Sequence, residues 1–307
     1  MFVAIAAAAS PAPAGAAAGA QGNYRDKNFD YFVAGDPALP RAAHTEFTLA
    51  LMGGGGIVNA AYAAIASHAR GGHIVILRAV SDDSFDPAGG DQGNYIRYWK
   101  GTPVQAALNA HVLANRPIGG SSAGLAILGH YSYTCLDGQS MESKTALADP
   151  FHPGVTIESD FLHLRWLESV ITDTHFSARS RLGRLIVFVA RINQEHPSDR
   201  AFGIGVDEKS ALLIGADGVG RLAEGSAGSA WVVTPQEPAS ILVKGQPLTL
   251  RAIRIVRLDP KSGIDLRTRE TTLASAEVTD SIEHGAAAQD ALTSPMMMRS
   301  VVPPDEG

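Results

Sequence analysis

The chain has 307 residues, of which 45% are hydrophobic and 18% charged, and its formal net charge is −6. This length allows one large α/β domain or two small ones, and the composition is that of an ordinary globular protein. The acidic balance disfavours nucleic acid or an anionic membrane as the main partner. The only cysteine, Cys135, excludes an intramolecular disulfide and a cysteine-rich zinc site, and its neighbours favour a small buried hydrophobe.

The chain starts with an Ala-rich segment. Residues 1–21 contain an apolar stretch and Ala-x-Ala sequences near Ala16–Ala20, but no Lys or Arg occurs before Arg25. These features favour a signal peptide and a secreted or periplasmic protein, with a disordered Ala/Pro leader and a cytoplasmic protein as the alternatives. Residues 1–46 are predicted to be this leader and an extended lead-in. No other apolar stretch approaches the length of a membrane span, so no membrane partner is expected.

The next residues have the pattern of a β-α-β unit. An apolar run at 47–52 stops at the four glycines Gly53–Gly56, a helical pattern follows at 58–69, and a second apolar run occupies 73–77. Strand, glycine turn, helix and strand in close succession indicate an α/β fold.

The later segments change in character. Helical patterns cover residues 103–115 and 176–192. Short apolar runs separated by turns then occur at 211–214, 230–233 and 241–243. These runs predict antiparallel strands that close a single domain over residues 47–280. Residues 281–307 have little periodicity and are predicted to form a loose tail.

Residues 120–124, Gly-Ser-Ser-Ala-Gly, fit the G-x-S-x-G pattern of a nucleophile elbow. In this motif a serine lies on a tight strand-to-helix turn with its Oγ exposed. The glycine spacing centres on Ser122 rather than Ser121, and the amide of Ala123 can stabilise an oxyanion. A serine cap of a helix is the simpler alternative. The apolar helical pattern that follows favours the nucleophile.

His175 is the candidate base, because it alone among the ten histidines lies in an informative pattern, directly before the predicted helix 176–192. Arg179, Arg181 and Arg184 follow in the predicted first turns of this helix. The helix dipole disfavours cations there. The three arginines therefore indicate an anion-binding role rather than ordinary solvated charge.

A triad also needs an acid that orients the imidazole. The apolar run 202–206 predicts a buried strand that ends at Asp207 and Glu208, and α/β enzymes place site residues at strand ends. Either carboxylate is a candidate partner of His175, and a solvated turn fits the pattern equally well. The order serine, histidine, acid disfavours the α/β-hydrolase fold, in which the acid precedes the histidine.

Together these features resemble the cyanophycinase-like serine peptidases, a family that includes aspartyl dipeptidases. Six blocks occur in the family's order: LMGGGG (51–56), GGDQ (89–92), YWKGTP (98–103), GGSSAG (119–124), DTHFSARSRLGRL (173–185) and GIGVDE (203–208). The resemblance implies an α/β fold with a mostly parallel sheet flanked by helices, similar to class I glutamine amidotransferases, and C-terminal antiparallel strands. It implies neither a metal nor an organic cofactor.

The resemblance also implies residue roles within a single catalytic domain. Ser122 is the nucleophile, His175 the base and Glu208 the acid, and the oxyanion hole is formed at Gly90 and Ala123. The implied substrate-binding residues are Gln92, Asp173, Arg179, Arg181 and Arg184.

The best-known substrate of the family is cyanophycin, a polyaspartate with arginine on each β-carboxyl, which is cleaved to β-aspartyl-arginine dipeptides. The resemblance therefore implies a serine exopeptidase acting on a peptide or polymer rich in Asp and Arg, and it leaves a homodimer open. An aspartyl dipeptidase for small Asp-X peptides and a non-catalytic binding relative are the alternatives. Two departures from the family's pattern bear on the choice among these functions. Thr174 stands where cyanophycinases often have Gln, and the segment 78–88 is short where relatives have a further helix and strand.

Overall fold

A computed structural model describes residues 3–7, 24–25, 30–31, 44–79, 90–136, 140–274 and 276–287. Its helices are α1 (Asn59–His68), α2 (Gln92–Trp99), α3 (Pro103–Leu113), α4 (Ala123–Ala126), α5 (Ser143–Ala148) and α6 (Leu182–Glu195), with a 3₁₀ turn at Pro197–Asp199. Its strands are β1 (Val3–Ala7), β2 (Tyr24–Arg25), β3 (Asp30–Tyr31), β4 (Leu49–Met52), β5 (His73–Leu77), β6 (Ile118–Ser121), β7 (Ser132–Tyr133), β8 (Ile157–Glu158), β9 (Val170–Asp173), β10 (Phe202–Val206), β11 (Ala211–Ile214), β12 (Val219–Leu222), β13 (Ala230–Pro235), β14 (Leu250–Leu258), β15 (Gly263–Asp265), β16 (Thr271–Thr272), β17 (Ala276–Glu283) and β18 (Ala286–Ala287).

Two mixed sheets form the framework. The larger has the strand order β16-β15-β12-β11-β4-β6-β1-β5, and the smaller has the order β18-β17-β14-β13-β10-β9. The pairs β4–β6 and β9–β10 are parallel, whereas the other ladders described in these two sheets are antiparallel. The α/β class is confirmed. The expectation of a mostly parallel sheet is wrong for the described residues, and the likeness to class I glutamine amidotransferases stays a prediction.

The physical reason for this difference is visible in β10. All five of its residues are buried, yet it pairs in parallel with β9 on one side and antiparallel with β13 on the other. A strand that is covered on both faces has an uninterrupted apolar sequence whichever way its neighbours run. The apolar runs therefore located the strands without giving their directions.

The β-α-β unit has the expected elements. β4 and β5 run in the same direction within the larger sheet and are connected through α1, with β6 and β1 lying between them. β5 lies at the edge of this sheet, and its Ile74, Val75 and Ile76 are partly exposed. Residues 80–89, which contain most of the short connection noted in the sequence, lie outside the described residues.

Helix α6 packs against β10 and β13 of the smaller sheet. Its apolar residues are buried in one core cluster with Trp231 and Val233 of β13. Gly203 in β10 allows this packing, because a Cβ there would lie only 2.7 Å from Cγ of Leu185. The core thus fixes the carboxyl ends of β9 and β10, from which the functional loops emerge.

The largest differences from the predicted elements lie in three segments. α6 begins at Leu182 rather than at 176, because residues 176–181 form turns and Ser180 has a φ of +48°. Residues 241–243 contribute an isolated bridge between Ile241 and Thr249 in place of a strand. The predicted loose tail is ordered at its start, where β17 continues to Glu283 and buries Ile282.

Within the predicted leader and lead-in, the structure describes β1, β2, β3 and residues 44–46. β1 pairs with β5 and β6 in the larger sheet. The division into leader, domain and tail, and the export of the protein, stay predictions. Among the helices that the structure describes, none is both long and apolar enough to cross a membrane.

Candidate active site

Ser122 lies on the turn between β6 and α4, as the elbow motif predicts. Its backbone has φ +55° and ψ −124°, a conformation that is costly for a residue with a side chain. The turn is held by the amide of Ser122, which donates to the carbonyl of Met52 at 3.0 Å. Gly120 is required because the backbone of Gly124 packs where a Cβ would stand. The strained turn presents Oγ of Ser122 to the neighbouring strand ends.

A hydrogen-bond chain joins Ser122, His175 and Glu208. Oγ of Ser122 lies 2.7 Å from Nε2 of His175, and Nδ1 of His175 lies 2.6 Å from Oε1 of Glu208. The three side chains come from the ends of β6, β9 and β10, so these hydrogen bonds connect the two sheets. Since the carboxylate can only accept, Nδ1 carries a proton and Nε2 of the neutral ring is free to accept the hydroxyl proton.

The glycine segment after β4 connects the two sheets at this point. The carbonyl of Gly53 accepts from the amide of His175 at 2.9 Å, and the carbonyl of Gly54 accepts from the amide of Lys209 at 2.7 Å. Gly54 has a φ of +88°, and a Cβ there would lie 2.6 Å from Nε2 of His175 and 2.9 Å from Cβ of Ser122. The bare glycine backbone is therefore what lets both loops approach Ser122.

Asp207, the other candidate acid, binds the loop that follows His175. It is buried, and its carboxylate accepts from the amide and hydroxyl of Ser177, the amide of Ser229 and the indole of Trp231. These bonds tie the residues after His175 to the smaller sheet. Glu208 therefore contacts the imidazole, while Asp207 holds the loop that carries it.

The environment keeps the imidazole of His175 neutral. Burial lowers its pKa below 6.5, and the positive charges of Arg179 and Arg181 lower it further, while the hydrogen bond and charge of Glu208 act in the opposite direction. The side chain of His175 is only 8% exposed. A neutral imidazole at neutral pH is the form that can act as a general base.

Asp173 and Arg184 form a buried ion pair. Nε of Arg184 donates to Oδ2 of Asp173 at 2.8 Å and Nη2 donates to Oδ1 at 2.5 Å, and Arg184 is 1% exposed. Arg181 is buried beside them, donating to Thr174, and burial lowers its pKa to about 10. Contact of these three residues with substrate stays a prediction. In this structure their polar groups are satisfied by the protein itself.

The remaining predicted residues lie in the segments that follow Ser122 and His175 and at the start of α2. Arg179 is exposed four residues after His175, and Ala123 follows Ser122 as the first residue of α4. Gln92 is the first residue of α2, which packs against α4, and Gly90 is exposed just before it. Their roles in substrate binding and in an oxyanion hole stay predictions.

Two parts of this arrangement were missed in the sequence. Neither the predicted glycine turn nor the LMGGGG block places these four glycines against the nucleophile and the base, although four consecutive glycines already indicate a backbone that needs positive φ and close approach. The hydrogen bonds by which Asp207 holds the loop after His175 could not be predicted from a local pattern, because its partners Ser229 and Trp231 are distant in sequence.

Comparison with known proteins places curated cyanophycinases among the relatives of this chain. It is 29% identical over 188 residues to the cyanophycinase of Synechococcus elongatus, a match that covers 60% of this chain and 52% of that protein. It is 31% identical over 172 residues to the cyanophycinase of Nostoc sp., covering 54% of this chain and 51% of that protein. The matches thus span about half the length of the curated relatives, and no family model matches.

A solved structure of a peptidase from an acI-B1 Actinobacterium is also similar, with a TM-score of 0.31 and 15% sequence identity over 62% of this chain and 57% of that chain. The resemblance to cyanophycinase-like peptidases that the six sequence blocks predict is confirmed by the curated relatives.

Proposed function

We propose that this chain, a relative of the cyanophycinases, is a serine-type peptidase with Ser122 as nucleophile, His175 as general base and Glu208 as the acid that orients the ring. The observation that carries the proposal is the continuous hydrogen-bond chain Ser122–His175–Glu208, with distances of 2.7 and 2.6 Å. Side chains from three separate strand ends meet in the order that acyl transfer requires.

The proposed reaction follows from the positions of the protons. Nε2 of His175 takes the proton of Ser122 as Oγ attacks the peptide carbonyl, which gives a tetrahedral intermediate. The protonated ring then gives this proton to the departing amine, leaving an acyl group on Ser122. Water, deprotonated by the same imidazole, releases the acid and restores the serine. Glu208 stabilises the imidazolium that forms between these steps.

The negative oxygen of the intermediate needs donors that are already in place. The amide of Ala123 follows the nucleophile directly and is the first proposed donor, with the amide of Gly90 as the second. Each such donor contributes on the order of 10²–10³-fold to kcat in well-studied serine peptidases.

The proposed substrate is cyanophycin, cleaved as an exopeptidase substrate to β-aspartyl-arginine dipeptides. The support comes from the names of the curated relatives and from Arg179, an exposed cation next to the triad that suits a carboxylate-bearing chain. Residue Thr174, which precedes the base, favours the second candidate, an aspartyl dipeptidase acting on small Asp-X peptides with the same triad.

The experiment measures dipeptide release from purified cyanophycin, and hydrolysis of an Asp-X dipeptide, by the wild type, Ser122→Ala and Ser67→Ala. Ser67 is an exposed serine on α1 that serves as the matched control. Release by the wild type and Ser67→Ala, but not by Ser122→Ala, is expected. Faster cleavage of the dipeptide than of the polymer would select the second candidate. Equal rates for Ser122→Ala and the wild type would overturn both.

A further inference from the structure

A cluster of ligand-type side chains lies away from the triad. His130, Asp160 and His163 each offer one nitrogen or oxygen atom, and these atoms lie within 4.8 Å of one another. The proposed peptidase chemistry uses none of the three. Within the described residues, this is the one group of three or more such side chains close enough to hold a metal ion.

The cluster lies at the opposite end of the strands from the triad. The amide of His130 donates to Leu167, which precedes β9, and the amide of Tyr131 donates to Val170, the first residue of β9. His175 follows the other end of the same strand. A ligand bound at the cluster would therefore be separated from the triad by the length of β9.

The loop that carries Asp160 and His163 is fixed by helix α3. Nε2 of Gln105 donates to the carbonyls of Asp160 and Phe161. Asn109 donates to the carbonyl of Phe161 at 3.1 Å and accepts from the amide of His163 at 3.0 Å. Phe161 is fully buried between the two ligand-type residues. The backbone is thus held in place before any ion binds, which lowers the entropic cost of binding.

The chemistry of the three groups selects the ion. Two imidazoles and one carboxylate suit Zn²⁺, whereas Mg²⁺ and Ca²⁺ prefer sites made of oxygens. Zinc binds such groups at about 2.0–2.2 Å in tetrahedral geometry, which sets the ligand atoms about 3.3–3.6 Å apart. Both histidines and the aspartate are at least partly exposed. Zinc binding therefore requires these side chains to move closer together, which their exposure permits.

We propose that His130, Asp160 and His163 bind one Zn²⁺ ion, with water in the fourth position. The ion joins residue 130, four residues after helix α4, to the loop after β8. Because the unfolded chain does not hold the three groups together, zinc binding stabilises the folded state. Oγ of Ser159 donates to Oδ2 of Asp160 at 3.1 Å and leaves Oδ1 for the ion.

The test uses the full chain without an affinity tag, stripped with EDTA and dialysed. Zn²⁺ is titrated in competition with a chromophoric chelator, and the melting temperature is measured with and without Zn²⁺. The wild type is expected to bind one Zn²⁺ per chain and to melt at a higher temperature with Zn²⁺ than with Mg²⁺. His163→Ala and Asp160→Asn should each bind Zn²⁺ at least about 10-fold more weakly and lose the shift in melting temperature.

Two control variants test whether Zn²⁺ binds at this cluster rather than at another histidine. His284 is exposed and lies outside the cluster, so His284→Ala should bind Zn²⁺ as the wild type does. Ser122→Ala should also bind normally, since the cluster does not depend on the triad. The proposal is overturned if the wild type binds no Zn²⁺, or if His163→Ala and Asp160→Asn bind it as tightly as the wild type.

Discussion

Oε1 of Glu208 lies 2.6 Å from Nδ1 of His175, and this contact turns Nε2 of the same ring towards Ser122. Glu208 is partly exposed, whereas the adjacent Asp207 is buried and bonded elsewhere. The more accessible of the two neighbouring acids is thus the one that contacts the imidazole of His175.

The first prediction concerns this contact. Glu208→Gln keeps the size of the side chain but offers an amide, which can stabilise the wrong tautomer of His175 and cannot stabilise the imidazolium. We expect kcat to fall on the order of 10²–10⁴-fold, with little change in the melting temperature. Glu224→Gln, at an exposed position, is the control and should keep its activity. Unchanged kcat in Glu208→Gln would remove Glu208 from the triad.

The second prediction is a pH dependence. His175 must be neutral to accept a proton, and its pKa is lowered from 6.5 by burial and by Arg179 and Arg181. As the pH rises through this lowered pKa the base is deprotonated, so kcat/KM should increase and reach its plateau below neutral pH. An acid limb with a midpoint clearly above 6.5 would contradict the proposed environment of the ring.

The third prediction uses Arg179 to test the same environment. Arg179→Gln removes a cation that disfavours the protonated ring, so the pKa of His175 should rise and the acid limb should move to higher pH. Arg179 is exposed, so salt should shrink this shift. Arg251→Gln, another exposed arginine, is the control and should leave the midpoint where it is. A shift of the midpoint to lower pH in Arg179→Gln would contradict the inference that the charge of Arg179 lowers the pKa of His175.

The fourth prediction compares two glycines of positive φ. Gly54→Ala places a Cβ 2.6 Å from Nε2 of His175, whereas Gly71, with a φ of +79°, has nothing within 4 Å of the added Cβ. Both substitutions carry a backbone cost of about 1–2 kcal/mol. Only Gly54→Ala should also displace the base and lower kcat, by at least about 100-fold. Equal activities of the two variants in the peptidase assay would show that the glycine loop does not shape the site.

The fifth prediction distinguishes a structural role of Asp173 from a role in substrate binding. Asp173→Asn leaves Arg184 buried without its ionised partner, which should lower the free energy of unfolding by about 3–5 kcal/mol. The control, Glu277→Gln, breaks a partly exposed pair with Arg254 and should cost about 1 kcal/mol or less. Urea unfolding measures both. A small loss in Asp173→Asn combined with a large increase in KM would instead assign the residue to the substrate.

Local sequence patterns were sufficient for the elements that deliver the triad. The apolar run at 202–206 became β10 with the predicted ends, and the G-x-S-x-G motif became a strained turn at Ser122. Such features depend on neighbours in the chain, namely apolar periodicity and glycine spacing. The choice between Asp207 and Glu208 depended on side-chain direction at the end of β10, which a local pattern does not specify.

Contacts between distant segments could not be predicted in this way. β10 pairs with β13 in antiparallel orientation, and His130 lies near His163. In both cases the local sequence does not indicate which distant segment will be the partner. The start of α6 was misplaced because residues 176–181 have helical composition but are held as turns by the carboxylate of Asp207 and the positive φ of Ser180. Tertiary contacts therefore overrode local propensity at the site itself.

If Ser122 is an activated nucleophile, a serine-directed reagent should label it covalently. The wild type, Ser122→Ala and Ser67→Ala are treated with a fluorophosphonate, and the adduct is located by peptide mass spectrometry, which distinguishes Ser122 from Ser121. We expect one adduct per chain, on Ser122, in the wild type and in Ser67→Ala, and none in Ser122→Ala. No adduct on the folded wild type, or an adduct that persists in Ser122→Ala, would contradict the assignment of Ser122 as nucleophile.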